Sequence, residues 1–576
     1  MKKLLLTLFF GTSAVLYGQS NMQLQIPNGL NVLQGNYDPS AYASSNPITT
    51  PSAILAGIQA NVQPDSLKAL LIELEAFGNR NTGADTVSAT TGIGAARRWI
   101  LSKFEAYSAA NENRLLTGYF QFDQNVCGMG RHKNVVAILP GSDTTNKEFI
   151  LIEGHFDSRC EGSCDINCDA PGMEDNGSGT ALVMELARVM SEYTFPQTLV
   201  FMPTTGEEQG LIGATAFAGY ALQNQLEIEA VLNNDVIGGI ICGQTASPPG
   251  CPFPDHIDST QVRLYSFGGF NSTSKMLARF IKMEYMDEVY PNTSVPMNLS
   301  IMSAEDRTGR GGDHIPFRVR RFPAMRFTSA NEHGDAGVTD SAYHDRQHTT
   351  ADILGVDTDG DMQIDSFYVD FNYLSRNAVI NGNAAAILAM GPEQPTFTAT
   401  SQPNGIQVQV TDPNNYGTYR LIVRSSSPDY DTTLTFTGTN ATLDPGMGGG
   451  LFVSLAAVDG NGLESLPNEE LSLMSVGVQE EHSTGPSMPE LLQNRPNPFD
   501  DATIIGFNAP INYSGRSAII RISDSNGKVL AEIPKSIEDG VNEVLYQHGF
   551  GVEGIFYYSL IVEGEVIDTK KMVFAY

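Results

Sequence analysis

The rhythm of apolar positions changes twice along this chain. Over Leu67 to Phe77 and Ala95 to Tyr107 apolar residues recur at helical spacing. From Asn134 to about residue 390, short continuous apolar runs alternate with helical stretches such as Gly179 to Tyr193. Continuous runs read as strands buried on both faces, so the alternation predicts an α/β domain with a largely parallel sheet. After Pro392 the texture shifts. Thr396 to Val410, Tyr419 to Arg424, Thr432 to Phe436 and Leu451 to Val458 are short runs rich in Thr and Val, split by turn signals. They predict a small β-sandwich. Ser475 to Pro489 is a polar linker, and a last all-β segment runs from Leu491 to Tyr576.

Length agrees with this division, because 576 residues exceed what one core can organise. Met1, Lys2 and Lys3 precede an apolar run from Leu4 to Tyr17, the form of an export signal cut near Gly18 and Gln19. No other run approaches the length of a membrane span. The expected mature protein is therefore exported and soluble, and we expect a monomer. Residues 19–55 are rich in Asn, Pro, Ser and Thr and read as an irregular arm or pro-segment. The formal net charge of −31 repels phosphate backbones, which argues against nucleic acid as a partner. The six cysteines (127, 160, 164, 168, 242 and 251) predict disulfides in an exported chain. Cys242 and Cys251 bracket a Pro-rich loop as natural partners. Cys160, Cys164 and Cys168 have no interleaved histidine, which favours bridges over a thiolate metal site.

The chemistry collects where apolar runs end. Residues 148–154 lead into His155 and Asp157. A loop over 170–179 carries Asp175. Residues 198–202 lead toward Glu207 and Glu208 between Gly206 and Gly210, and 231–234 lead into Asp235. His348 comes later, followed by Asp352. In open α/β sheets, ligands gather outside the carboxyl ends of strands. Two imidazoles and three carboxylates (His155, His348, Asp175, Glu208 and Asp235) can hold two metal ions with one carboxylate shared. Neighbouring side chains leaving a strand diverge, so one of Glu207 and Glu208 can bind metal while the other stays free as a base. Asp157 can accept the second N–H of His155 and orient its ring. Each piece alone is an ordinary turn or surface pair; their joint occurrence at strand ends carries the reading.

These pieces, with the sequence over 170–179 and 348–352, resemble the secreted di-zinc aminopeptidase family, which includes glutamate carboxypeptidases and glutaminyl cyclases. The resemblance implies a three-layer α/β/α zinc-exopeptidase domain over 56–391. It implies two Zn2+, with Asp175 shared, His155 and Asp235 completing one site, and Glu208 and His348 the other. It implies Glu207 as general base, Asp157 as the residue orienting His155, and peptides as substrates, cut at the N-terminus. Members can carry a tyrosine before the Asp-His pair, which here is Asp313-His314. This chain has Arg310 in that loop instead. Arg310 either contacts the oxyanion or a substrate carboxylate, or serves the fold of a Gly-rich loop. A carboxypeptidase, a one-zinc cyclase and a non-catalytic binding protein are the competing readings. His314, His333 and His344 are read as non-ligands. Asp357 to Asp365 has the oxygen spacing of a Ca2+ loop with its glycine misplaced, so an acidic loop is the alternative.

The stretches 419–423 and 456–465 resemble a fibronectin type III-like domain, placed at 392–474. Residues 490–576, after the linker 475–489, resemble the sorting domain of type IX secretion cargo: 492–499, 522–529 and 554–560 carry the likeness, with Lys570 and Lys571 near the end. That resemblance implies an outer-membrane export route, the type IX machinery as a partner, and removal of the domain on export.

Overall fold

The computed structural model describes residues 19–241, 256–307, 310–330, 346–425, 427–473, 488–495, 497, 499, 502–525, 527–538, 540–548 and 554–574. The export signal, Cys242 and Cys251, His333 and His344 lie outside the described residues.

The apolar runs become one nine-stranded sheet. Its strands are β1 (Ser20–Gln25), β2 (Leu116–Val126), β3 (Met129–Leu139), β4 (Phe149–His155), β5 (Thr198–Thr204), β6 (Ile228–Asn234), β7 (Gln261–Ser266), β8 (Asn298–Ile301) and β9 (Ala324–Ser329). They lie in the order β1-β2-β3-β5-β4-β6-β9-β7-β8. The centre, β5-β4-β6-β9, is parallel. On one side β3, β2 and β1 follow antiparallel; on the other, β7 runs antiparallel to β9 and parallel to β8.

Nine helices flank the sheet among the described residues: α1 (Gly29–Leu33), α2 (Pro51–Asn61), α3 (Pro64–Glu75), α4 (Gly92–Ala110), α5 (Ser178–Met190), α6 (Ile212–Gln223), α7 (Thr273–Glu284), α8 (His314–Val319) and α9 (Phe371–Met390). Helices α2, α3, α4, α5, α7 and α9 share one core, while α1, α6 and α8 share the other. Strand β4 shows why its sequence is apolar throughout. Ile150 and Ile152 enter the first core, Phe149 and Leu151 the second. The result is a three-layer α/β/α domain.

One expectation fails here. Residues 19–55 are not irregular throughout, because β1 pairs with β2, α1 packs beneath it, and α2 begins at Pro51, although 43–50 carry no helix or strand. Leu24 and Ile26 pack with the second core, and Ile54, Leu55 and Ile58 with the first. A six-residue edge strand carries too little pattern to stand out; its partner across the ladder supplies the order.

The C-terminal part forms two sandwiches. In the first, a three-stranded sheet (Thr396–Gln402, Gly405–Thr411, Asn440–Leu443) faces a four-stranded one (Thr418–Arg424, Thr432–Thr437, Leu451–Val458, Leu471–Leu473) around Val408, Leu421 and Val453. The second joins a three- and a four-stranded sheet around Phe507, Ile520 and Tyr558. The first sandwich docks on α7. Arg279 Nη1 and Arg424 Nε both meet Glu470 Oε1, at 2.7 and 2.6 Å, with all three side chains buried.

Candidate active site

The parallel strands deliver their carboxyl ends to one edge. His155 is the last residue of β4, the 206–208 turn follows β5, and Asp235 follows β6. Between β4 and α5 the chain winds through a single turn over Met173–Gly177 that carries Asp175. Gly206 takes a positive φ of 74°, and a Cβ there would meet Ile212 Cγ1 at 2.2 Å, so only glycine lets the chain reverse so closely. Gly179 faces a similar limit, since a Cβ would lie 2.1 Å from the Asn234 carbonyl.

The edge brings all five expected ligands together. His155 Nε2 lies 3.1 Å from Asp175 Oδ1 and 3.5 Å from Asp235 Oδ1. His348 Nε2 lies 3.0 Å from Asp175 Oδ2 and 3.2 Å from Glu208 Oε2. Asp175 therefore gives one oxygen to each half of the cluster. Glu207 stands with His155 and Asp235, and Glu208 with His348 and Asp175, so the adjacent glutamates diverge as expected. Asp157 is placed differently in detail. The nearest acceptor to His155 Nδ1 is the Asp157 backbone carbonyl at 3.1 Å, with the carboxylate at 3.5 Å. That carboxylate also accepts the backbone N–H groups of Glu207 and Glu208, each at 3.3 Å, and so ties the two turns together.

The donor set suits a borderline metal ion that takes imidazole and carboxylate. Two buried carboxylate oxygens of these residues, Glu208 Oε1 and Asp235 Oδ1, have no hydrogen-bond partner among the described residues, and Asp235 Oδ1 is the one that lies toward His155 Nε2. Buried acceptors left this way are costly unless something completes them, and a cation would. Burial also raises the Glu207 carboxyl well above its ordinary range; His155 opposes the rise, and Asp235, Glu208 and Asp313 add to it. Burial works the same way on Asp235, but Arg326 and His155 overcome it and keep that carboxylate charged.

Several residues have supporting roles that the sequence reading did not assign. Asp352 accepts the backbone N–H of Glu174 at 2.8 Å and of Asp175 at 2.9 Å, which fixes the turn carrying Asp175. Arg80 is fully buried and donates to the carbonyls of Phe156 and Gly172 at 2.7 and 2.9 Å, joining both sides of the intervening loop. Arg326 approaches Asp235 Oδ2 at 3.2 Å and donates to its carbonyl at 2.5 Å. Arg159 bonds Glu208. None of the arginines stands in a recognisable pattern; Asp352 was visible only as the end of the 348–352 stretch.

The loop over 156–172 is pinned by two disulfides, Cys127–Cys164 and Cys160–Cys168. The cluster opens into a cavity of about 450 Å³ lined by Arg159, Arg307, Arg310, Leu211 and Gln347 besides the ligands. Arg310 Nη1 donates to Gln347 Oε1 at 2.5 Å. Asp313 and His314 sit behind the site, where Asp313 accepts the Thr204 hydroxyl at 2.5 Å and His314 Nε2 faces the Glu305 carbonyl at 3.1 Å. Asp357, Asp359 and Asp361 meet elsewhere on an exposed loop, where Asp357 accepts the loop's own backbone N–H groups.

A three-layer α/β/α domain with an imidazole–carboxylate cluster at its strand ends defines a metal-dependent hydrolase. The sequence profile of Peptidase family M28 matches residues 134–241. A "Probable zinc metalloprotease" of Leptosphaeria maculans is 30% identical over 394 residues, covering 66% of this chain and 87% of its own. One of Pyricularia oryzae is 33% identical over 360 residues, covering 60% and 68%. The chain belongs to peptidase family M28 and is a metallopeptidase. Among solved structures, the Legionella pneumophila LapA aminopeptidase aligns with a TM-score of 0.42 at 19% identity, over 59% of this chain and 75% of its own. Porphyromonas gingivalis glutaminyl cyclase aligns at 0.38 and 14%, over 56% and 97%.

Proposed function

We propose that this chain is an exported zinc exopeptidase that removes N-terminal residues from peptides. The observation that carries the reading is Asp175, whose two oxygens lie 3.1 and 3.0 Å from the Nε2 atoms of His155 and His348. A carboxylate shared in this way suits a pair of ions, with His155 and Asp235 on one and Glu208 and His348 on the other. The "zinc" in the descriptions of the fungal relatives supports Zn2+ as the metal. Bound zinc would supply Lewis acidity to the scissile carbonyl and to the attacking water. Glu207, raised by burial, takes the proton of that water and hands it to the leaving nitrogen. The carboxylates Asp175, Glu207, Glu208 and Asp235 line the cavity and attract a substrate's free α-amine.

Elemental analysis tests the metal count: about two zincs per chain are expected, and one would point to the cyclase reading. Direction is tested with peptides blocked at one end. N-terminal acetylation should stop hydrolysis and C-terminal amidation should not. The reverse result favours a carboxypeptidase, a reading that the arginines 307 and 310 at the cavity support, and would make Arg310 the specificity residue.

Export rests on the signal at 1–18 and on the likeness of 490–576 to type IX sorting domains. We read the three-on-four sandwich at 392–474 as a fibronectin type III-like spacer. Mass spectrometry of the mature protein should find a start near Gln19 and loss of the chain after about Ser487. Retention of Tyr576 in the secreted form would overturn removal of the last domain.

A further inference from the structure

A cavity of about 500 Å³ lies at the other edge of the sheet, where the chain enters the parallel strands. Glu148 precedes β4, Gln197 precedes β5, and Glu227 and Glu229 flank the start of β6 at Ile228. The first sandwich contributes Glu393 and Glu469 to the same lining. The cavity thus collects five carboxylates against one guanidinium, that of the exposed Arg321. None of the five forms an ion pair among the described residues. Their charges act on one another: burial raises the Glu148 carboxyl and Glu227 and Glu393 add to the rise, while burial and then Glu148 raise Glu229.

Two acceptors here lack donors. Gln197 is only 7% exposed, and its amide donates to Glu229. The other end of that amide, Oε1, is left buried beside Glu229 with no partner, and Glu229 Oε2 is buried without one as well. Buried acceptors of this kind are costly until a donor meets them. A cation that donates hydrogen bonds satisfies both the oxygens and the surplus negative charge. A compact metal ion does not suit, because the carboxylates of this cavity do not converge in threes as those of the strand-end cluster do. An ammonium group offers three N–H donors and no acceptor. Between the acids the walls are apolar, from Leu226, Met276, Phe322 and Leu466. Methylene chains lie along such walls while their charged ends stay in polar surroundings.

We propose that this cavity is a binding site for an aliphatic cation with two or more ammonium groups, held by Glu148, Glu229 and Gln197 on the peptidase domain and by Glu393 and Glu469 on the first sandwich. The site is separate from the candidate active site, and the inference depends neither on the metal nor on the direction of cleavage.

The test is isothermal titration of the full-length protein, as purified, with spermidine at low salt and pH 8, with melting midpoints and peptidase rates measured alongside. About one equivalent should bind without slowing hydrolysis. Glu148→Gln and Glu229→Gln should each weaken binding by about tenfold, the size of one hydrogen bond to a charged group. Both variants should keep the native peptidase rate. Glu229→Gln removes a charge from a buried place, so an undiminished melting midpoint in that variant separates lost binding from lost folding. Mg2+ at matched ionic strength should give no saturable binding at this cavity. A dilysine peptide, acetylated and amidated at its ends, distinguishes the two sources of alkylammonium: tighter binding than spermidine assigns the site to a lysine-bearing chain, and weaker binding to a free polyamine. The proposal is overturned if spermidine does not bind, or if both variants bind it as the native protein does. It is also overturned if spermidine competes with the peptide substrate, since that places it at the catalytic edge.

Discussion

Single side chains divide the work at the strand ends. Glu207 and Glu208 are adjacent in sequence, yet they stand with different halves of the cluster. Glu207→Gln keeps the shape of the side chain and removes its capacity to accept a proton, so turnover should fall by at least about a hundredfold while zinc content and fold remain. Glu208→Ala should instead lower zinc occupancy, because it takes away an oxygen 3.2 Å from His348 Nε2. Parallel zinc analysis and rate measurement on the two variants checks the division of roles. Equal metal loss in both would show that it is wrongly drawn. The acidic and imidazole residues were legible in the sequence because each stands where an apolar run stops. Arg159 was not, because its partners Glu208 and His348 lie 49 and 189 residues away and no spacing rule links them.

At the scale of elements, the sheet's two edges carry different electrostatics. At the edge opposite the candidate active site, Glu229 in β6 lies near Glu148, which precedes β4. Burial and the Glu148 charge push Glu229 up to about 8, although a bond to Gln197 opposes them. A carboxyl raised in the folded state holds its proton while the unfolded chain releases it. Its contribution is therefore harmless below the unfolded value near 4.5 and turns destabilising as pH rises toward 8. Glu229→Gln should leave stability at pH 4 almost unchanged and raise it by about 3 kcal/mol at pH 8, allowing for the partial exposure of the side chain. Denaturant titrations at the two pH values measure this. A pH-independent difference would show that Glu229 is charged in the fold. The helices over α3 and α4 follow apolar spacing closely, whereas β1 takes its order from partners distant in sequence, its ladder to β2 about a hundred residues further along and the second core against Leu24.

Across the whole molecule, the first sandwich is fixed to the peptidase domain by charges removed from water. Glu470 is shared by Arg279 of α7 and Arg424 of the sandwich. Phe270 and Phe452 pack beside it with ring centroids 5.2 Å apart. Glu470→Ala leaves two buried guanidiniums without their common partner. It should cost about 3 kcal/mol and expose the junction to limited proteolysis. Denaturation and protease mapping of the variant check this; an unchanged midpoint and cleavage pattern would mean that the arginines find water or another acceptor. Among the described residues, no helix is long and apolar enough to cross a membrane.

What the sequence alone determined is whatever periodicity and local chemistry encode. The α/β alternation over 134–390, the change to short strands after Pro392, and the ligand residues at strand ends are all properties of neighbouring residues. Burial on both faces forces a strand to be apolar throughout, and a catalytic edge forces polar residues to appear where it ends. Tertiary structure alone decided what depends on distant partners. The cysteines at 160, 164 and 168 allow several pairings, and Cys127 enters only because the β2–β3 turn lies over their loop. The Asp175 carboxylate is divided between two imidazoles that lie 193 positions apart. Arg80, Arg159, Arg326 and Asp352 take their roles from chain crossings that no local pattern records. Long-range contacts between single polar groups leave no periodic trace in a sequence, since each needs only one residue of the right kind at one place.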